Sequence, residues 1–199
     1  NIAVGNYALD ALTSGDYNIA IGLNAAGVNT TGSNNTAIGF ETLDANTTGD
    51  NNIAIGRNCL GSNTTGATNT AIGSNALAAN TTADANTAVG RSSMLSNSTG
   101  TSNVAVGFES LKTNTTANNN TAIGAYSLQV NTTGSENTAV GQSALQGNTT
   151  GANNIAVGKN TMLANTTGTR NIAIGNTAYD ASDTESDNIA IGYAAMTTN

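Results

Sequence analysis

Aliphatic and polar positions alternate along this chain with a period that does not change. A pentapeptide of the form Asn-[Ile/Thr/Val]-Ala-[Ile/Val]-Gly recurs every 17 residues, and its twelve copies follow one another without insertion or deletion. A fixed period this short is typical of a solenoid, in which each copy forms one rung stacked on the last. The copies begin at Asn1, Asn18, Asn35, Asn52, Asn69, Asn86, Asn103, Asn120, Asn137, Asn154, Asn171 and Asn188.

The first five positions of each rung predict a short strand. Positions 2 and 4 of a strand share one face, and positions 1, 3 and 5 share the other. Position 4 is Ile or Val in every copy, so we expect it to form the buried stripe. Position 3 is always Ala, which indicates a face with room for nothing larger. Position 5 is always Gly, which indicates a positive φ or a close approach of neighbouring backbone.

The rest of each rung predicts a second short strand and a turn. Positions 7 to 10 form the predicted strand, with Leu or Met at position 9 in most copies and pointing inward. Asn-Thr-Thr-Gly follows in most copies, as in residues 29–32, and is a sequence that favours tight turns. Asn at positions 1 and 12 is expected to stack into amide ladders between rungs.

The predicted fold is therefore all-β: a parallel β-roll, or β-solenoid, of 17-residue rungs that forms a single repeat domain over residues 1–199. At ~4.8 Å per rung the rod would be roughly 55–60 Å long. Ordering one rung costs roughly 25 kcal/mol, which needs on the order of 1,000 Å² of apolar burial to offset. Because a rung has few large aliphatic residues, we expect a single roll to have almost no interior. A parallel homotrimer with the Ala or Ile stripes around a shared axis would supply one.

Composition and charge exclude several classes of function. The net charge is −7, from 12 acidic and 5 basic residues, so we expect no nucleic-acid partner. No stretch approaches the ~18 apolar residues of a membrane span, so we expect no membrane insertion by this segment. The chain begins on a repeat residue rather than Met, and we expect a processed product or an excised piece.

The sequence contains no combination of residues typical of a catalytic site, and we expect neither enzyme activity nor a cofactor. The chain has no His, and its one Cys, Cys59, stands at position 8, where Ala or Ser is usual. We interpret Cys59 as a small buried substitute for Ala rather than a nucleophile.

Two groups of residues are candidates for binding. Carboxylates replace the usual turn of the eleventh rung and could hold Ca²⁺ through oxygen ligands. Their spacing matches no EF-hand or repeat-type calcium loop, which favours a solvated surface turn instead. These carboxylates are Asp180, Asp183, Glu185 and Asp187. Variable positions 6 and 7 form a possible contact ridge for a host-surface protein or glycan, and the alternative is drift at a tolerant turn. This ridge includes Tyr7, Phe40, Arg57, Arg91, Phe108, Tyr126, Lys159 and Tyr193.

Nine Asn residues at position 12 also fit the N-glycosylation motif Asn-x-[Ser/Thr]. In an organism that glycosylates exported proteins, sugars would coat one edge of the rod. The need of the turn for Asn explains the same pattern without any modification.

The pentapeptide, the short Ala-Leu segment and the Asn-Thr-Thr-Gly turn resemble the head repeats of YadA-type trimeric autotransporter adhesins. The repeat is also similar to shaft segments of bacteriophage tail fibres. The resemblance covers essentially the whole chain, although its period is longer than that of the usual adhesin repeat. It implies a left-handed β-roll with three chains to a rod, located outside the cell on a cell surface or a virion. The expected function is a structural and adhesive fibre segment of a bacterial surface adhesin. A tail-fibre shaft and a subunit of an end-stacked extracellular filament are the alternatives.

Overall fold

The computed structural model describes residues 1–180 and 183–197, and within them the chain forms one sheet of twelve parallel strands in sequence order. Each strand covers positions 2 to 4 of a rung, so the predicted parallel β-solenoid of 17-residue rungs is confirmed. The strands are β1 (Ile2–Val4), β2 (Ile19–Ile21), β3 (Thr36–Ile38), β4 (Ile53–Ile55), β5 (Thr70–Ile72), β6 (Thr87–Val89), β7 (Val104–Val106), β8 (Thr121–Ile123), β9 (Thr138–Val140), β10 (Ile155–Val157), β11 (Ile172–Ile174) and β12 (Ile189–Ile191).

Every rung is bonded to its neighbours in the same register. Ala54 of β4 pairs with Ala37 of β3 and with Ala71 of β5. The bonding continues outside the strands, since the Leu60 N–H donates to the Ala76 carbonyl at 3.0 Å. Backbone groups buried between rungs therefore find partners without extended structure, as buried N–H and C=O groups require.

The predicted second strand at positions 7 to 10 is wrong, because this segment coils instead of extending. In the fourth rung Asn58, at position 7, has a φ of 50°, and Leu60, at position 9, has a φ of 51°. Left-handed backbone costs a residue with a side chain roughly 1–2 kcal/mol, which is why the sequence did not indicate it. The Leu60 side chain is fully buried, and this burial offsets the backbone cost.

The inner and outer faces of the strand are the reverse of our prediction. Ala54, at position 3, is fully buried, whereas Ile55, at position 4, lies on the outer face and is half-buried. The buried Ala column and the Leu column at position 9 belong to one hydrophobic core. The roll is narrow enough for Ala and Leu columns to form a buried interior within one chain. The expectation that a single chain has almost no interior is therefore also wrong.

Two columns of buried Asn complete the interior and confirm the predicted ladders. At position 1, the Asn52 backbone N–H donates to Asn35 Oδ1 at 2.9 Å, and Asn52 Nδ2 donates to the Gly66 carbonyl at 2.9 Å. At position 12, Asn63 Nδ2 donates to Asn46 Oδ1 and to the same Gly66 carbonyl, both at 2.9 Å. The two columns thus join neighbouring rungs and also close each rung on itself.

The invariant Gly of position 5 meets both conditions that the sequence indicated. Gly56 has a φ of +135°, and a Cβ atom there would lie 2.7 Å from the backbone carbonyl of Gly73 in the next rung. Position 15 is more tolerant, since Ala83 and Ala117 stand there in two rungs.

Candidate interaction surfaces

The outer face of the sheet carries two columns of β-branched side chains, which we call the aliphatic strip. Ile72 and Ile123, in middle rungs, are 38% and 40% exposed. The strip consists of position 4 (Val4, Ile21, Ile38, Ile55, Ile72, Val89, Val106, Ile123, Val140, Val157, Ile174, Ile191) and position 2 (Ile2, Ile19, Thr36, Ile53, Thr70, Thr87, Val104, Thr121, Thr138, Ile155, Ile172, Ile189).

The aliphatic strip is continuous because the strands stack in register. Neighbouring members of a column lie one strand spacing apart, ~4.8 Å, so their side chains touch along the rod. Thr at position 2 of five rungs supplies the strip's only hydroxyls, and no charged residue belongs to it. A long apolar face of this kind is a candidate for contact with another molecule.

The structure brings five residues of the predicted contact ridge into two clusters. The guanidinium carbon of Arg57 lies 5.9 Å from the ring centroid of Phe40. In the second cluster, which we call the aromatic patch, Arg91 lies 5.6 Å from the Phe108 centroid. The rings of Phe108 and Tyr126 meet edge to face, with centroids 5.3 Å apart and an interplanar angle of 88°.

The other three predicted ridge residues stand apart. Tyr7 and Tyr193 are 64% and 83% exposed, and Lys159 is exposed as well. Within residues 1–180 and 183–197, none of the three makes a ring contact or an ion pair. The ridge is therefore a set of local features rather than one uniform surface.

A row of hydrogen-bonded polar side chains, which we call the polar row, borders the aromatic patch. Glu109 bonds to two members of the row. Its Oε1 pairs with Lys112 Nζ at 3.1 Å, and its Oε2 accepts a hydrogen bond from Gln129 Nε2 at 2.8 Å. Gln146 Nε2 then donates to Gln129 Oε1 at 2.7 Å. Sequence reasoning missed this row, although Lys112, Gln129 and Gln146 occupy position 10 of consecutive rungs and must stack.

The four carboxylates of the predicted calcium turn do not gather around one point. Asp187 is held by Arg170, with Nε donating to Oδ1 at 2.6 Å and Nη2 donating to Oδ2 at 2.8 Å. These hydrogen bonds lower the pKa of the Asp187 carboxyl. Among the described residues, which include Asp180, Asp183 and Glu185, no group of three acidic, His or Cys side chains forms a cation site. The calcium site stays a prediction from the sequence.

The Asn residues of the nine glycosylation motifs lie inside the roll. All nine side chains are fully buried, and their amides take part in the position 12 ladder; Asn29, Asn46, Asn63, Asn80, Asn97, Asn114, Asn131, Asn148 and Asn165 form this column. The folded rod does not present them to a glycosyltransferase, so the motif reflects the needs of the turn.

Cys59 is buried, as predicted. Its side chain is fully inaccessible, and Sγ lies 3.1 Å from the Ala71 carbonyl oxygen. Burial raises the pKa of the Cys59 thiol to about 12. The thiolate that acts as a nucleophile is therefore almost unpopulated at neutral pH.

Comparison with protein-family models, with curated proteins and with solved structures found no match. The part of the chain that the structure describes contains no helix long and apolar enough to cross a bilayer. The resemblance to adhesin heads and tail-fibre shafts thus rests on the repeat motifs themselves.

Proposed function

We propose that this chain is the rod-forming segment of an extracellular fibre, with a structural and adhesive role in a bacterial surface adhesin and no enzymatic activity. Three parallel copies pack their aliphatic strips around a shared axis. The observation that carries the proposal is the strip itself, which extends from β1 to β12 without a charged residue.

The straight shape of the strip, rather than its area, supports association. Twelve strands at ~4.8 Å spacing give a face roughly 55 Å long, and two columns of side chains make it about 10 Å wide. The resulting area of roughly 550 Å² reaches the upper end of the ~300–600 Å² found for the largest apolar patch of a monomer. Here the whole area is one straight strip, which suits contact with an equally straight partner.

The buried Ala column narrows the choice of contact surface. Ala54 and its equivalents lie inside the single roll, so of the Ala and Ile stripes considered for a shared axis, the Ile and Val side chains of the strip are the ones that face outward. The resemblance to trimeric adhesin heads supports three copies and a location outside the cell. A stiff rod with every rung bonded to the next is suited to hold a binding surface at a distance from its anchor.

The test is the absolute mass of the purified chain in solution, measured by light scattering. We expect three chains of 19.7 kDa, about 59 kDa. The double variant Ile55→Glu/Ile72→Glu places charges in the strip on two consecutive rungs, and we expect monomers of the single-chain mass, because six carboxylates cannot be buried unpaired at one axis.

Thr65→Glu/Thr82→Glu is the matched control, because it adds the same charge to the same two rungs at an exposed position outside the strip. We expect this variant to keep the wild-type mass. Circular dichroism and thermal unfolding check that both variants fold. A folded wild-type chain that is monomeric at high concentration would overturn the shared-axis arrangement.

A further inference from the structure

We propose that the aromatic patch and the polar row together bind a saccharide that carries a carboxylate, such as a sialic acid or a uronic acid. The site spans rungs 86–102 to 137–153 on the side of the rod. This inference rests on the adhesive part of the proposed function, and it names the class of ligand.

The aromatic side chains supply an apolar platform. Phe108 and Tyr126 are half-buried, and their edge-to-face contact at 5.3 Å fixes each ring against the other. The edge of one ring meets the face of the other, so the pair exposes its remaining ring surface beside the Arg91 guanidinium. The C–H face of a sugar ring packs on exposed aromatic surface of this kind, while its hydroxyl groups reach polar neighbours.

Arg91 supplies the charge that favours an acidic sugar. Its guanidinium is held over Phe108 at 5.6 Å, and within the described residues it has no carboxylate partner. Lys112 and Arg170, by contrast, are both paired with acidic side chains. A free Arg that is already oriented by an aromatic ring is suited to bind a carboxylate with two parallel hydrogen bonds.

The polar row supplies partners for hydroxyl groups. Gln129 donates one amide hydrogen to Glu109 and accepts one hydrogen bond from Gln146, so a second N–H and a second lone pair on its amide stay available. The network holds these groups in place before a ligand arrives. Preorganised donors and acceptors of this kind reduce the entropy lost on binding.

The backbone beneath the site allows a substitution that removes the Tyr126 ring without straining the fold. Position 7 has a positive φ, and four rungs place Asn there, the residue with a side chain that best tolerates it: Asn24, Asn58, Asn75 and Asn160. The proposed site instead has Glu109 at a φ of 52° and Tyr126 at a φ of 62°. Asn in place of Tyr126 would therefore suit this backbone at least as well as Tyr does.

The experiment is isothermal titration calorimetry of the full chain with 3′-sialyllactose, with trigalacturonic acid and with neutral lactose. We expect one of the two acidic saccharides to bind with a Kd of ~1 mM or tighter, and lactose at least ~10-fold more weakly. Which of the two binds identifies the sugar acid. Arg91→Ala should remove the preference for the acidic saccharide over lactose.

Tyr126→Asn separates binding from folding. This variant should abolish binding and should leave the thermal unfolding midpoint close to that of the wild type, because the better fit of Asn to the positive φ offsets the lost ring contact. Phe40→Ala is the matched control, since Phe40 occupies the same column and is also covered by an Arg, but lacks the neighbouring Tyr and Gln side chains. We expect its affinity to equal that of the wild type.

Failure of both acidic saccharides to bind at about 10 mM would overturn the site, as would an equal loss of affinity in Phe40→Ala. The result is independent of the oligomer test. A trimer that binds no acidic saccharide overturns this inference alone, and a monomer that binds one overturns the shared axis alone.

Discussion

Asn63 Nδ2 donates a hydrogen bond to Asn46 Oδ1 of the preceding rung at 2.9 Å, and both side chains are fully buried. Asn63 Oδ1 in turn accepts from Asn80 Nδ2 of the following rung at 2.8 Å. Each amide is therefore satisfied only because its neighbours in the column are also Asn. A buried polar column is stable when every member has its partners, and one wrong member leaves several groups unsatisfied.

The last Asn of the position 12 column shows that each amide depends on the Asn of the next rung. Asn165 Oδ1 is a buried side-chain atom that has no hydrogen-bond partner among the described residues. The next rung has Ser182 at the corresponding place, a residue that lies outside the described part of the chain. The sequence thus stops supplying the Asn whose Nδ2 would donate to Asn165.

Asn63→Asp should be much more destabilising than Asn63→Ala at neutral pH. The carboxylate removes the donor and faces two acceptors, Asn46 Oδ1 and the Gly66 carbonyl, in a buried site. We expect a loss of at least ~3 kcal/mol for Asp and about 1–3 kcal/mol for Ala.

The difference between these two variants should depend on pH. Burial raises the folded-state pKa of an unpaired carboxyl above its unfolded value of ~3.9, so the penalty is present above the folded pKa and absent below the unfolded one. Thermal unfolding of both variants at pH 7 and pH 3 measures this. Equal midpoints of the two variants at pH 7 would contradict the ladder as the source of stability.

Those features that follow from the repeat alone were predictable. The strand at positions 2 to 4, the parallel register, the Asn ladders and the special conformation of Gly56 all follow from a strict 17-residue period. Because equivalent positions of neighbouring rungs stack, the contact between Phe108 and Tyr126 could also have been predicted from the sequence. The polar row was harder to predict, because position 10 carries Asp, Gly, Ala, Leu, Lys, Gln and Thr in different rungs and no common residue type marks it as a column.

The same reasoning could not predict which face of the strand points into the roll. Ala54 and Ile55 belong to equally regular columns, and regularity alone does not say which column faces inward. The answer depends on the opposite wall, where Leu60 adopts a positive φ that residue preferences disfavour. Tertiary packing decides both points, and the sequence of one rung does not contain that information.

Gly107→Ala and Gly100→Ala should differ sharply in stability. Gly107 has a φ of +136°, and a Cβ atom there would lie 2.6 Å from the Gly124 carbonyl group. Gly100 stands at position 15, and its φ lies outside the left-handed region. A Cβ atom there would lie too close to the Ala117 carbonyl oxygen, so the neighbouring rung must shift slightly. Ala83 and Ala117 at the same position of other rungs show that the roll accommodates a methyl group.

We expect Gly107→Ala to lose at least ~2 kcal/mol and Gly100→Ala to lose about 1 kcal/mol or less. Thermal unfolding of the two variants beside the wild type is the measurement. Similar losses in both would mean that the positive φ of position 5 is not what keeps Gly there.

Asp44→Asn should stabilise the rod at neutral pH. Burial, together with the neighbouring Glu41 carboxylate, raises the pKa of the Asp44 carboxyl. An acid whose folded pKa is raised destabilises the folded state above that pKa, and the effect disappears below the unfolded pKa of ~3.9. The variant's gain in unfolding temperature should therefore be present at pH 7 and absent near pH 3. Asp10→Asn, which changes an exposed side chain in the same column, is the control and should change little.

Cys59 should resist thiol reagents for as long as the rod is folded. Its side chain is fully buried, and burial raises its pKa to about 12, so alkylation at pH 8 requires both opening of the rung and loss of the proton. We expect iodoacetamide to label the native chain at least ~10³-fold more slowly than the chain in denaturant, as mass spectrometry of timed samples would show. Cys59→Ser should fold with nearly the same unfolding temperature, because Ser127 at the equivalent position donates its hydroxyl to the Gly124 carbonyl at 2.9 Å. Rapid native labelling would show that the fourth rung opens independently of its neighbours, against the continuous bonding that joins all the rungs.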